Sequence, residues 1–356
     1  MAENPASPQA PIATTTETGR RPRRLGLYAP FVVLALFCAG WTGFWFFSAN
    51  FAGKIADGFI QREGERGREW ICPDRNVAGF PFRLEISCLK PKLILRDEAG
   101  LHREGSLHRE GSLGGLSLHV RILSPSHFIA VLSPPFIARQ GGAGEVEIRW
   151  KSARASVRAG QASITEASVE IIDLALSAGT GDRQDIKALA KTVELHLRRT
   201  PGETAGTDLV ARVADLTFAP LDRLVGTPEP MRLEMQVTAP GLIPEPTQRF
   251  QDILEQWRLS GHKARVVVLQ ATKGQATLDL SGVLGLDSER RLEGNLQGRA
   301  KGLDALTGRL TRRGGIDISG LLGKLSGGQG LPVALTLQNG LMRFGPIPIL
   351  DLEPLY

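Results

Sequence analysis

Thr192-Val-Glu-Leu-His-Leu-Arg198 sets three apolar residues, Val193, Leu195 and Leu197, in alternation with Thr192, Glu194, His196 and Arg198. Side chains of an extended chain point to opposite faces in turn. A period of two therefore predicts a strand with one face buried and the other in water. The same signature recurs on both sides of this stretch. Leu84, Ile86 and Cys88 alternate with Arg83, Glu85 and Ser87, and Leu93 and Leu95 with Lys92, Ile94 and Arg96. Val146, Ile148 and Trp150 alternate with Glu145, Glu147 and Arg149; Ala155, Val157 and Ala159 follow, then Val169 and Ile171. Further on come Leu233, Met235 and Val237, then Ala276, Leu278 and Leu280, then Leu292, Gly294, Leu296 and Gly298. Val333, Leu335 and Leu337 lead into Asn339-Gly340, a strong hairpin signal. The 41 Gly and 22 Pro punctuate these runs, as expected of many short strands joined by turns.

Helical periodicity is scarce. Phe250, Ile253, Leu254 and Trp257 fall at i, i+3, i+4 and i+7 and predict a helix over 246–257. Short helices are expected at 304–310 and 316–325, and a single turn at 220–225.

Upstream of the strands, residues 25–47 form an uncharged run of 23 residues rich in Leu, Val and Phe. At 1.5 Å per residue this crosses a hydrocarbon core of about 30 Å. Arg20, Arg21, Arg23 and Arg24 stand just before it, and basic residues stay on the cytoplasmic side. The expected topology is a single span in a bacterial inner membrane, with a cytoplasmic N-terminus and the bulk of the chain in the periplasm. Trp41, Trp45, Phe44, Phe46 and Phe47 crowd the far end of the span, where aromatic rings favour the interface. A cleaved signal peptide is the rival reading. The long apolar run and the poor fit of Phe47-Ser48-Ala49 and Asn50-Phe51-Ala52 to a small-residue cleavage site argue for a retained anchor. Phe51, Ile55 and Phe59 continue at a spacing of four, which predicts a helical stalk. Residues 1–19, rich in Ala, Pro and Thr, lack the apolar surface to fold.

The net charge of +6 is spread without a dense run, so nucleic-acid binding is not expected. Of three cysteines, Cys38 lies within the span. Cys72 and Cys88 then remain as a pair, 16 positions apart, in an oxidising compartment. A disulfide is favoured over two free buried thiols. A metal site is disfavoured, since no His precedes His102 nearby.

Catalytic motifs are absent. The six histidines at 102, 108, 119, 127, 196 and 262 are scattered, and no H-E-x-x-H, G-x-S-x-G or Walker A string occurs. His119 and His196 sit in alternating segments beside charges and read as a solvated strand face. Leu325-Ser-Gly-Gly-Gln329 spells an ATPase signature without the phosphate loop it works against, and reads instead as the end of a helix and a loop. The tandem hexapeptide at 101–106 and 107–112, Leu-His-Arg-Glu-Gly-Ser twice, reads as a local duplication in a surface hairpin; an even insertion preserves alternation. The expectation is a protein that is not an enzyme, with no cofactor and no metal.

Gly79-Phe-Pro-Phe-Arg83, flanked by Cys72 and Cys88 and followed by Lys90-Pro-Lys-Leu93, resembles alphaproteobacterial proteins grouped as domain of unknown function 2125. The closing Leu335-Thr-Leu-Gln-Asn-Gly-Leu-Met-Arg-Phe-Gly-Pro-Ile-Pro348, with Leu350 and Pro354, is similar to that family's C-terminal end. The resemblance covers about residues 70–356. It implies one N-terminal span, a large periplasmic β-rich part and no enzymatic activity. In plan, the chain is also similar to AsmA-like envelope proteins, through Gly274-Gln-Ala-Thr-Leu-Asp-Leu-Ser-Gly282 and Leu292-Glu-Gly-Asn-Leu-Gln-Gly298. Such proteins are associated with outer-membrane homeostasis and lipid handling.

The fold expected is mainly β: a long twisted or curled antiparallel sheet with a few short helices, preceded by one transmembrane helix. Its parts are a disordered cytoplasmic tail at 1–24, the span at 25–47, a helical stalk at 48–68 and a periplasmic β-rich domain at 69–356, with a subdivision near 226–258. Such a sheet buries its apolar side against itself, a second sheet or lipid. The last case predicts an apolar groove lined by Val146, Ile148, Trp150, Leu195, Leu197, Leu278 and Leu280, holding lipid or another apolar ligand in envelope maintenance. The alternative is a closed core in a structural or interaction scaffold that recruits another envelope protein.

Overall fold

The computed structural model describes residues 25–95, 109–140, 144–160, 163–180, 183–202, 205–245, 248–302, 330–345 and 347–356. The arginines at 20–24, His102, His108, the expected helices at 304–310 and 316–325 and the string at 325–329 lie outside them. The chain divides into two units, Met1–Ser48 and Ala49–Tyr356.

Helix α1 runs over Leu25–Glu65 and is long and apolar enough to cross a membrane. Two of its hydroxyls bond to the preceding turn: Thr42 donates to the Cys38 carbonyl at 2.7 Å and Ser48 to that of Phe44 at 2.9 Å. In an apolar run this satisfies both hydroxyls without water. Gly67, at φ 75°, takes the left-handed conformation just beyond the helix.

Strands follow as β1 (Arg68–Ile71), β2 (Asp74–Ala78), β3 (Arg83–Leu89), β4 (Lys92–Leu95), β5 (Arg109–Arg121) and β6 (Ser124–Gln140). Next come β7 (Gly144–Arg149), β8 (Ser152–Ala159), β9 (Ile164–Thr180), β10 (Arg183–Arg199) and β11 (Gly206–Phe218). Helix α2 (Ala219–Val225), β12 (Met231–Pro240) and helix α3 (Phe250–Leu259) lead into β13 (Ala264–Lys273), β14 (Ala276–Leu286) and β15 (Leu292–Lys301). The C-terminal strands are β16 (Leu331–Gln338), β17 (Leu341–Phe344) and β18 (Ile347–Asp351). The fold is thus mainly β, an 18-stranded antiparallel sheet with three helices among the described residues.

Each strand from β8 to β17 pairs with its successor, and β12 binds β11 on one side and β13 on the other. The sheet is therefore continuous through residues 226–258. Toward the N-terminus, three rows are each made of two strands laid end to end. β1 and β2 lie on β4 and β3. β3 and β4 lie on β5, and β7 and β8 lie between β6 and β9.

Register turns the alternation into a single apolar face. One row runs Val77, Ile86, Leu118, Ala130, Ala155, Val169, Leu195, Ala211, Met235, Leu269, Leu280, Gly298 and Val333, each paired with the next. At 4.7–4.9 Å per strand it spans roughly 60 Å. Parallel to it on the opposite face, Arg154, Glu170, Glu194, Arg212, Glu234, Gln270, Asp279 and Arg299 form a polar row.

A seam of irregular residues crosses the first half of the sheet. It passes through Cys72-Pro73, Lys90-Pro91, Gly114, Pro134-Pro135, Trp150-Lys151, Asp173, Lys191 and Asp215. Lys90, Asp173 and Asp215 have φ of 50°, 53° and 52°. The apolar parity changes at the seam. In β9 it moves from Ala167, Val169 and Ile171 to Leu174, Leu176 and Ala178, as an extra residue in a strand requires. The disulfide Cys72–Cys88, with Cα atoms 5.7 Å apart, fastens the edge rows where the seam begins.

The closed core lies on the apolar face of β12–β16. Val266, Leu280 and Leu296 are buried there, with Val237, Leu269, Leu278, Leu284, Val333 and Leu335 packed against them.

The expected helix at 246–257 begins later, at Phe250; residues 248–249 are not helical, because Arg249 is extended at φ −73°, ψ 144°. Asp252 in the first turn then takes two hydrogen bonds from the Arg249 guanidinium, at 2.9 and 3.0 Å. Ile253 and Trp257 are buried, and the Trp257 indole donates to the Pro240 carbonyl at 2.8 Å. Of the hexapeptide duplication, Arg109–Ser112 lie in β5, which pairs antiparallel with β4 and with β6; residues 101–108 lie outside the described residues.

Candidate functional site

Outside its closed part, the apolar face is half-buried, and Leu195 at its centre is 40% exposed. Beyond the seam this face opens into a cavity of about 480 Å³, lined by Leu93, Leu95, Phe136, Val146, Ala178 and Ile186. Four of these are brought there by register: Val146 pairs with Ala178, and Phe136 with Ile148, while Leu93 faces Gly111, which leaves room because it has no side chain. The rim is charged. Arg139 pairs with Glu145 at 2.6 Å and Lys92 with Glu110 at 3.2 Å. Arg109, also at the rim, forms no ion pair with another described residue.

The seven groove candidates do not gather in one site. Val146 lines the cavity, and Ile148 stands next to it between Phe136 and Leu176. Leu195 and Leu197 lie mid-sheet on the half-open face, against Val169 and Ala167. Leu278 and Leu280 belong to the closed core. Trp150 stands just past the end of β7, at the seam, and its indole donates to the Leu132 carbonyl at 2.9 Å. That bond makes it a fastening between β6 and the seam.

On the polar face, a concavity of about 770 Å³ is lined by His127, Ser156, Arg158, Glu166, His196 and Arg198. Sequence reasoning missed its central feature: His127 Nε2 lies 2.8 Å from Ser156 Oγ. The two are 29 positions apart, and only the β6–β8 register joins them. A serine nucleophile needs hydrogen-bond donors for the developing oxyanion. Both residues lie in mid-strand, where backbone N–H groups serve the ladder, and the nearby guanidiniums are engaged, Arg198 with Asp208 at 3.2 Å and Arg158 with Glu166 at 3.5 Å. The geometry supports a solvated ladder of paired charges. Glu234 belongs to it, its carboxyl held below the ordinary range by hydrogen bonds from Gln236 and Arg212. His196 stands 3.6 Å from Glu194, and His119 3.6 Å from Glu85. No group of three metal-ligating side chains occurs among the described residues.

A third cluster forms around Glu255 on α3. Arg258 donates to it at 2.8 and 3.0 Å, Tyr356 at 2.7 Å, and Arg290 lies 3.4 Å away. These donors hold the carboxyl down at about 2. The Arg290 guanidinium also stands 5.4 Å from the Tyr356 ring centre.

The model of a family described as "Uncharacterized protein conserved in bacteria (DUF2125)" matches residues 45–353, and the chain belongs to that family. No curated protein and no solved structure matches it. The apolar N-terminal helix and the disulfide together suggest a location in the cell envelope.

Proposed function

We propose that this DUF2125 member is an envelope protein that holds an acyl chain, or another apolar ligand of that shape, against the open part of its apolar sheet face. In this reading α1 is a retained inner-membrane anchor, Arg20, Arg21, Arg23 and Arg24 keep the N-terminus in the cytosol, and Ala49–Tyr356 lies in the periplasm. The protein binds and carries no chemistry. The observation that carries the reading is the contrast along one face: the apolar row is closed at Leu280 and half-exposed at Leu195, with a cavity beyond the seam. Apolar surface left in contact with water is costly at about 25 cal/mol per Å², so a ligand that covers it binds favourably. Likeness in plan to AsmA-like envelope proteins agrees with this, as an analogy of architecture only.

The test is photo-crosslinking in cells. A benzophenone side chain replaces Val169 or Leu195 on the apolar face, or Ser168 or His196 on the polar face, in the full chain. Lipid adducts, read by mass spectrometry, are expected at 169 and 195 and not at 168 and 196. Protein adducts at 169 and 195 would favour the scaffold reading instead, and equal lipid adducts on both faces would remove the groove.

A further inference from the structure

We propose that the cavity beyond the seam holds a fatty acid, its one acyl chain laid across the strands and its carboxylate at Arg109. This rests on the apolar-ligand reading above and gives that ligand a place, a direction and a charge.

Register sets the floor of the cavity. Leu93, Gly111, Ala138, Val146, Ala178 and Ile186 are paired each with the next, on β4, β5, β6, β7, β9 and β10. Five strand spacings of 4.7–4.9 Å make a row of about 24 Å, the reach of a long extended acyl chain. Gly111, Ala138 and Ala178 keep the row low. Phe136 walls one side, its ring 3.5 Å from where a Cβ on Gly111 would stand. The space of about 480 Å³ over a floor one row wide suits a single chain.

Parity separates the charges. Lys92, Glu110, Arg139 and Glu145 alternate with the floor residues, so register puts them on the opposite face. Both carboxylates are paired there, Glu110 with Lys92 at 3.2 Å and Glu145 with Arg139 at 2.6 Å. Arg109 falls on the floor side, opposite Leu95 and two residues before Gly111. It lines the cavity, is exposed and forms no ion pair with another described residue. Arg68, beyond Leu95 in the same row, is bound to Glu63 at 2.5 Å.

Among the described residues that line it, the cavity thus offers an anion one uncommitted guanidinium and no unpaired carboxylate to repel it. A guanidinium takes a carboxylate through two parallel hydrogen bonds. A second donor stands toward the same end of the row. Trp70, paired with Leu93, has a buried indole N–H with no acceptor among the described residues. The other end is apolar, closed by Ile186, which is 43% exposed. The carboxylate therefore belongs at β4–β5 and the tail at β10.

Photolabelling tests the proposal. The full chain in phosphatidylcholine liposomes, held at about pH 9 so that a carboxylic acid is ionised, is irradiated with palmitic acid carrying a mid-chain diazirine, or with the methyl ester of that probe. Adducts are mapped by mass spectrometry and scaled to those on α1. They are expected on β5, β6, β7 and β9, several-fold more from the acid than from the ester. Arg109→Gln, an exposed substitution that the fold tolerates, should abolish the difference, and Arg109→Lys should keep part of it. Ala178→Trp, which fills the floor, should remove the adducts of both probes there. Equal labelling by acid and ester, or a preference for the acid that survives Arg109→Gln, would overturn the carboxylate site and leave the apolar-ligand reading standing. Adducts around Val169 and Leu195 with none on β5, β6 and β7 would overturn the cavity and keep the open face. Adducts on α1 alone, from both probes, would overturn both.

Discussion

The Tyr356 hydroxyl donates a 2.7 Å hydrogen bond to Glu255, joining α3 to a residue 101 positions away. The Leu355 N–H binds the Arg290 carbonyl at 3.0 Å beside it, so the segment after β18 is tied to both α3 and the β14–β15 turn. Arg258 and Tyr356 stabilise the ionised Glu255 and bring its pKa from the ordinary 4.5 to about 2. A carboxyl depressed by folding contributes stability above its unfolded value and loses it as the pH falls through the folded one. The protection factors of α3 amides, corrected for the pH dependence of intrinsic exchange, are therefore expected to be unchanged from neutrality to about pH 4.5 and to fall between there and about pH 2. Tyr356→Phe should move the Glu255 titration upward while Arg258 still holds it below 4.5. An unshifted midpoint in NMR-detected titration would show that the hydroxyl does not contribute.

Removal of the Cys72–Cys88 disulfide frees a loop with a sequence separation of 16. Loop-entropy arithmetic gives a loss of about 3 kcal/mol. Cys72→Ser with Cys88→Ser should lower the denaturant midpoint by a corresponding amount and expose the β1–β2 edge to proteolysis first. A uniform loss of protection across the sheet would contradict this placement.

Leu280 and Leu195 occupy the same row with the same side chain and differ in what covers them. Leu280, 4% exposed, is in the closed core, and its truncation to alanine should cost about 2–5 kcal/mol. Leu195, 40% exposed, should cost less than about 1 kcal/mol in ligand-free protein, because little is unburied. Equal losses in chemical denaturation would mean that the face is closed over its whole length.

Asp173 holds the seam in the left-handed conformation at φ 53°, and its carboxylate takes a 2.7 Å hydrogen bond from Lys191 on β10. The pair is exposed, so Lys191→Met should leave the melting temperature nearly unchanged. The backbone requirement is different. Asp173→Gly should be tolerated, and Asp173→Val should lower the melting temperature clearly, since a β-branched residue is strained at positive φ. Thermal melts of the three variants separate the charge from the conformation.

Much of the β architecture was legible in single stretches. The alternating residues at 84–88, 193–197, 233–237, 276–280 and 333–337 all lie in strands. Asn339-Gly340 is a tight turn with both residues at positive φ, 53° and 74°, the conformation that pair favours. The seam was not legible. Trp150 continues the alternation of Val146 and Ile148 in sequence yet stands outside β7. Nothing local marks Lys90 or Asp173 as left-handed, since their conformations answer to breaks in neighbouring rows. His127 and Ser156 were equally hidden, because their contact depends on a β6–β8 register that a broken strand sets.

The sequence by itself determined which side chains share a face, because a period of two is a property of each extended segment. It also marked the apolar helix and the paired cysteines, which composition and count reveal without a fold. Only the tertiary structure decided where that face is closed and where it is open. Leu280 and Leu296 are buried, and Leu195 is not, although all three read alike in their own strands. Burial depends on what lies over a residue, and for a sheet that is settled by register, by the seam and by neighbours far away in the chain.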